Sequence, residues 1–370
     1  MPAAPRADLL GLTFAELRDW ARGLVGFADR HHAALYRQVA GTGRFAPHEL
    51  SEWQEAERGR PGTLATLTQA AAEEQAPHVA RAESAHDPQH GTTTKLALRF
   101  ADGREAETVL IPMRGGEHVT VCVSSQVGCR MGCAFCRTAR MGLVRDLTAH
   151  EIVGQVVAAA RFARIAPRRC LALRNVVFMG MGEPLDNLDA VARAIACLAE
   201  PRGCAIPGSR ITISTVGRAD QIPRLGALGL GQCNLAISVS SADDALRDRL
   251  MPVNRTHDLA ALRRALAAHP LPRGRKLLIA YVLMAGVNDA DADALALADW
   301  IGDLDAMVNL IPFNAFAGSP WQPSPPARIV AFQAALRGRG LHALTRTTRG
   351  DAVLAACGQL GTGKKEVSVG

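Results

Sequence analysis

Residues 122–136 read Cys-Val-Ser-Ser-Gln-Val-Gly-Cys-Arg-Met-Gly-Cys-Ala-Phe-Cys. Cys129, Cys133 and Cys136 stand at spacing C-x3-C-x2-C, with Phe135 just before the last thiol. A closed tetrahedral zinc site wants four ligands, and this cluster stops at three. Three thiolates suit a 4Fe-4S cube, which keeps its fourth iron open. That open iron can chelate the amino and carboxylate groups of S-adenosylmethionine (SAM) and pass one electron to its sulfonium, giving a 5'-deoxyadenosyl radical. The alternatives are a three-cysteine zinc site, or three core cysteines that lie close by chance.

The chain outward from this stretch has the rhythm of an α/β protein. Strands are expected at 118–123, 174–179, 210–215, 233–239, 276–284 and 307–311. Helices are expected near 149–164, 187–199, 218–228, 242–250, 257–268, 289–303 and 326–337. Alternating units with right-handed crossovers imply a parallel sheet that curls toward a barrel. Six βα units give an incomplete (β/α)6 barrel over 118–338. Chemistry then collects at the C-terminal strand ends, where the cysteine loop, Gly180-Met-Gly-Glu-Pro, Ser214, Ser238 and Asn314 fall. Residues 1–90 read as a small helical accessory domain, with helices over 13–26, 30–40 and 47–58 and scattered Arg30, His31, His32, Arg37 and Arg44. Residues 91–117 read as a β-rich connector. The segment 339–370 adds a strand-like piece (341–345), a short helix (351–357) and glycines 358, 361 and 363, which predict a mobile surrounding for Cys357.

The 370 residues allow one large core and a smaller domain, and 48% hydrophobic residues exclude wholesale disorder. No stretch of roughly 18 apolar residues suggests a membrane span, and the N-terminus lacks a secretory apolar core, so a cytoplasmic protein is expected. Nine cysteines in such a protein point to metal ligation or catalysis before disulfides. A net charge of +7 favours a polyanionic partner such as RNA, though an Arg-rich coding bias gives the same excess. Lys364-Lys365 add a basic pair near the end.

In Gly180-Met-Gly-Glu-Pro, Gly182 would let backbone approach a ligand and Glu183 would accept from its ammonium group; alone, the pattern is also an ordinary turn. Ser214, Ser238 and Asn314 offer hydroxyl and amide groups for ribose or carboxylate, or simply cap loops. Cys122 and Cys357 lie outside the cluster spacing, and Cys170, Cys197, Cys204 and Cys233 read as buried small hydrophobes.

Taken together, 122–136, Val177-Phe-Met-Gly-Met-Gly-Glu-Pro-Leu, Ile311-Pro-Phe-Asn-Ala-Phe, Thr348-Arg-Gly-Asp and Ala356-Cys-Gly-Gln-Leu resemble the radical SAM RNA adenine methyltransferases of the RlmN/Cfr type, from about Glu105 to Leu360. The resemblance implies methylation of an adenosine ring carbon in RNA, carbon-2 or, in the Cfr branch, carbon-8, with 23S rRNA or tRNA as partner. It implies a 4Fe-4S cluster on Cys129, Cys133 and Cys136, and two SAM per turnover. Cys357 would carry a methyl as S-methylcysteine, Cys122 would resolve the crosslink through a transient disulfide with Cys357, and Glu107 would be the proton acceptor. Gly182, Glu183, Ser214, Ser238, Val239, Ser240 and Asn314 would contact SAM. A flavodoxin- or ferredoxin-type electron donor, no membrane partner and a monomeric state complete that picture. Ser238-Val239-Ser240 departs from the usual Ser-Leu-His, Phe313-Asn314 from Trp-Asn, and the N-terminal helices match loosely, which suggests a divergent RlmN-like paralogue. The reading from another class is a zinc-stabilised RNA-binding module without catalysis.

Overall fold

The computed structural model describes residues 7–113, 115, 118–163, 173–347 and 349–361. Cys170, Thr348, Gly363, Lys364 and Lys365, singled out above, lie outside the described residues. Four helices open the chain: α1 (Phe14–Leu24), α2 (Asp29–Thr42), α3 (Ser51–Gly59) and α4 (Thr63–Ala70). Leu17, Leu35, Trp53 and Leu67 project from them into a core with no solvent exposure. The same apolar cluster continues into the barrel helix that follows the cysteine loop, through Ile152, Val153 and Val156.

Four strands follow: β1 (His78–Asp87), β2 (Gly91–Arg99), β3 (Glu105–Pro112) and β4 (Val119–Cys122), paired antiparallel in that order. β1 corrects the expectation that residues up to 90 are helical. Its side chains are exposed or half-buried throughout, so it carries no apolar alternation. It forms because β2 offers it a free edge to hydrogen-bond.

A two-stranded ribbon, β5 (Gln126–Gly128) with β6 (Leu143–Asp146), then flanks the cysteine loop. The βα series runs α5 (Ala149–Phe162), β7 (Leu173–Phe178), α6 (Leu188–Ala199), β8 (Ile211–Thr215), α7 (Arg224–Ala227), β9 (Asn234–Ser238), α8 (Asp244–Leu250), α9 (Leu259–Ala267), β10 (Leu277–Leu283), α10 (Asp291–Ile301), β11 (Ala306–Pro312), α11 (Pro326–Gly338) and β12 (His342–Thr345). α5 starts at a capping box in which Thr148 accepts from the Glu151 N–H and the Glu151 carboxylate accepts from the Thr148 N–H. The ten-stranded order is β1-β2-β3-β4-β7-β8-β9-β10-β11-β12, parallel from β4 onward. Six βα units are therefore present as expected. β12, read from sequence as part of a separate tail, pairs with β11 from Met307↔His342 to Leu310↔Thr345 and becomes the last barrel strand. β4 and β12 do not pair with each other among the described residues, so the barrel is open on one side. No helix of the described residues is long and apolar enough to cross a membrane.

Candidate functional site

The exits of β4 and β7 are laced together. Val123 N–H donates to the Val177 carbonyl, Gly180 N–H to the Val123 carbonyl and Ser125 N–H to the Met181 carbonyl, at 2.8–3.1 Å. This closeness explains the two glycines. A β-carbon on Gly180 would meet the Val123 carbonyl oxygen at 2.7 Å, and one on Gly182, whose φ is +100°, would meet Gln126 Cβ at 2.6 Å. Both glycines make room first for the neighbouring strand exit, where the sequence suggested approach to a ligand.

The cysteine loop is fixed at three points. Cys129 N–H donates to Gly142, Ala134 N–H to Leu250 and Cys136 N–H to Cys133. Cys129, Cys133 and Cys136 line one cavity of about 330 Å³ together with Gly182, Glu183, Ser214, Ser238 and Cys357. Among the described residues no three His, Cys, Asp or Glu side chains gather as tightly as one metal ion requires. Thiolates that each bind a different iron of a cube stand farther apart than thiolates sharing one zinc at about 2.3 Å. Burial, and then the charge of the neighbouring thiols, pushes Cys129 up to about 12 and raises Cys133 and Cys136 as well. Three thiols that repel one another when ionised suit a cationic iron core, which would deprotonate them on binding. The donor set fits a cluster.

Glu183 is buried; its carboxylate accepts from the Leu185 N–H at 3.0 Å and the Val216 N–H at 2.9 Å. Burial raises its pKa, and these two N–H donors oppose the rise. The side chain thus ties the β7 exit to the β8 exit while still lining the cavity. Val239 and Ser240 do not line it. Their carbonyls accept from Arg247 and Asn288, and Ser240, at φ +54°, takes the Val282 N–H on its hydroxyl. Asn314 lines a second cavity, of about 360 Å³, and its amide donates to the Cys357 carbonyl at 3.0 Å.

The segment around Cys357 is pinned, contrary to the glycine-based expectation. Arg137 N–H donates to Gly358, Thr138 Oγ1 donates to Leu360 at 2.6 Å, and Gln359 donates to Ala315 and Asp351. Gly361 N–H donates to Glu107 Oε2 at 2.7 Å. Glu107 is 1% exposed and its other oxygen lies 3.4 Å from Lys95 Nζ, so it latches the tail and lines neither cavity. Removing the carboxylate charge in Glu107→Gln loses a charge-assisted bond of about 1.5–3 kcal/mol and weakens the latch. Alkylation of Cys357 by iodoacetamide, followed by peptide mass spectrometry, is expected to accelerate about tenfold or more in that variant.

Cys122, at the end of β4, is buried and forms no disulfide. Burial pushes it up to about 12, and the nearby Cys357 adds to the rise. Cys357 also raises Cys136, so this thiol stands between the cluster loop and Cys122. Cys197 and Cys233, pushed by burial to about 12 and about 11, are core residues with no access to the cavity. Their folded pKa values lie above the ordinary 9.0, so the stability they contribute is complete below pH 9 and is lost as pH rises through the folded values. In the reduced, metal-free protein, Cys197→Ala is expected to show a smaller fall in urea midpoint between pH 9 and 12 than the parent.

Sequence reasoning missed two cations at this site. Arg247, fully buried, sits in a charged run (Asp243-Asp-Ala-Leu-Arg-Asp-Arg) that reads as a solvated helix face. Arg346 lines both cavities, and only the pairing of β12 with β11 brings it there.

Residues 123–298 match the family model of the radical SAM superfamily. A dual-specificity RNA methyltransferase RlmN of Sorangium cellulosum is 42% identical over 75% of this chain and 78% of its own length. A second protein of that organism, described as the probable RNA methyltransferase sce1580, is 46% identical over 77% of this chain and 69% of its own. A crystal structure of a radical SAM methyltransferase from Sphaerobacter thermophilus superposes with a TM-score of 0.80 at 38% identity, covering 96% of this chain and 99% of that one. These likenesses agree with the three-thiol cavity at the mouth of an open (β/α)6 barrel: the chain belongs to the RlmN family of radical SAM RNA methyltransferases.

Proposed function

We propose that this enzyme methylates an adenosine ring carbon in RNA, carbon-2 first, with 23S rRNA as the first substrate and tRNA as the second. One observation carries the reading: Cys357 stands on the wall of the cavity that holds Cys129, Cys133 and Cys136, with Cys122 close enough to feel its charge. An amidine carbon is electron-poor and does not attack a SAM methyl group directly, so a methyl carrier is needed.

The Cys357 thiolate would take the methyl group of one SAM, releasing S-adenosylhomocysteine. Bound to Cys129, Cys133 and Cys136, a 4Fe-4S cluster would supply the electron that cleaves a second SAM to a 5'-deoxyadenosyl radical. Cys357 then loses a hydrogen atom from its S-methyl group, and the methylene carbon bonds to the ring. The ring carbon gives up its proton, Glu107 being the candidate acceptor once it parts from Gly361, and one electron, which would return to the oxidised cluster. In the last step Cys122 attacks the Cys357 sulfur; the S–S bond forms, the S–C bond breaks, and the carbon takes a proton to become the methyl product. Gly182, Glu183, Ser214 and Ser238 are the proposed SAM contacts from the cavity wall, with Asn314 reaching in from the neighbouring cavity. An external one-electron donor of the flavodoxin or ferredoxin kind and a thiol reductant complete the cycle, and a monomer suffices for it.

The test is mass spectrometry of nucleosides from total rRNA and tRNA in a strain lacking the protein and in its parent. Loss of 2-methyladenosine supports the reading, and loss of the 8-methyl isomer moves the enzyme to the other branch. An unchanged pool of both methyladenosines in rRNA and tRNA would overturn the proposed substrate.

A further inference from the structure

Arg346 follows β12 on the open side of the barrel, its N–H donating to the Leu310 carbonyl at 2.8 Å. Its guanidinium reaches back to within 3.9 Å of the Met179 sulfur. Met179 is the first residue beyond β7, and its N–H faces the Cys122 thiol. The 330 Å³ and 360 Å³ cavities share Arg346, Met179 and Cys357 in their linings. Cys122, Cys357 and Arg346 are thus gathered around one methionine.

The cation is half-buried and makes no ion pair with a carboxylate among the described residues. Arg349, three residues on, is spent on the Pro112 carbonyl. A guanidinium withdrawn from water without a counter-ion does little for stability, and it is best accounted for by an anion formed during turnover. Two groups nearby can become that anion, Cys122 and Cys357, and burial opposes it at Cys122.

We propose that Arg346 is the positioning residue for the resolving thiol: it faces Cys122 with a positive charge and stabilises the thiolate that forms as Cys122 attacks the sulfur of Cys357. The inference rests on the two-thiol reading above. In the step it serves, Cys122 supplies the electron pair for the new S–S bond. The Cys357–carbon bond breaks, its pair passes to carbon and then to a proton, and a thiol reductant later reopens the disulfide. The groups facing Cys122 are Cys357 from the tail, Arg346 from beyond β12 and the Met179 N–H from beyond β7. Of these only Cys357 raises the energy of the thiolate.

The experiment compares Arg346→Met, Arg346→Lys and Cys122→Ala in the full, cluster-loaded chain, reading RNA that stays on the protein in a denaturing gel. Arg346→Met is expected to accumulate an adduct that the parent resolves, its decay speeding about tenfold per pH unit as Cys122 ionises unaided. Arg346→Lys, which keeps the charge, should lie between. In the metal-free chain, iodoacetamide labelling of Cys122 at pH 8 should slow about tenfold in Arg346→Met. Loss of turnover with no adduct and unchanged Cys122 labelling, while Cys122→Ala does trap RNA, would overturn the role of Arg346. Absence of an adduct from Cys122→Ala itself would overturn the two-thiol reading instead, and the labelling rate would still decide whether Arg346 governs the thiol.

Discussion

Cys122→Ala is expected to stop after a single event, leaving RNA covalently attached to the protein, whereas Cys357→Ala should attach none. The two thiols occupy unequal positions. Cys357 lines the cavity where a methyl donor would bind, while Cys122 is withdrawn behind it at the end of β4. Without Cys357 there is no sulfur to carry the methyl. Without Cys122 every step up to the thioether remains, and no thiol is left beside it to displace the carbon. Turnover should fall by about a thousandfold or more, a loss of at least about 4 kcal/mol in transition-state stabilisation. The adduct should not exceed one RNA per chain. Fold loss does not explain such a result, since trimming one buried sulfur costs about 0.5–3 kcal/mol and leaves the cysteine loop's own hydrogen bonds in place. Nuclease digestion followed by peptide mass spectrometry should locate one added nucleoside on Cys357. If no adduct forms on an RNA that the parent methylates, the assigned roles of both cysteines fail.

What the sequence conveyed followed the range of the interactions involved. The C-x3-C-x2-C spacing is local, and the three thiols do share one cavity. The barrel helices were legible from periodicity and from caps such as Thr148 with Glu151, three residues apart. Long-range facts were not. The tail's glycines read as mobile because the bond from Thr138 to Leu360 spans 222 residues and leaves no local signature. Nothing local to Glu107 marks it as buried, yet Gly361 and Lys95 both close over it. β1 lacks alternation because neither face is covered. Ser240 marks a family departure, but it faces the β9–β10 frame, where Asn288 and the Val282 N–H meet it.

Arg247→Met is expected to produce the largest stability loss of any substitution outside the thiols. The guanidinium has no solvent exposure and serves four oxygens: the carbonyls of Val239 at 3.2 Å, Val216 at 2.7 Å and Ser238 at 3.3 Å, and Asn254 Oδ1 at 2.6 Å. Those carbonyls belong to the exits of β8 and β9. Asn254 in turn binds the carboxylates of Asp244 and Asp248, so the buried cation and two anions form one network. Burial lowers the Arg247 pKa to about 10, while Cys133, Asp244 and Asp248 act in the opposite sense, so the residue stays charged at neutral pH. Methionine fills similar volume but orphans the acceptors, and breaking a buried charge network of this kind costs about 3–5 kcal/mol. In a chain this long that corresponds to a melting temperature lower by roughly 4–7 °C. Arg339→Ala, which removes an exposed pair with Asp299, is the control and should shift it by less than about 1 °C. Arg247→Lys should fall between, since one ammonium on a flexible stem cannot reach all four oxygens in the guanidinium's planar array. The site should suffer with the fold, because the Val216 whose carbonyl Arg247 holds also donates its N–H to Glu183. Calorimetry of the reduced, metal-free variants decides the matter: an Arg247→Met curve within 1 °C of the parent would mean that the strand exits hold themselves, and that the cation is needed only once the thiolates of the cluster loop are charged.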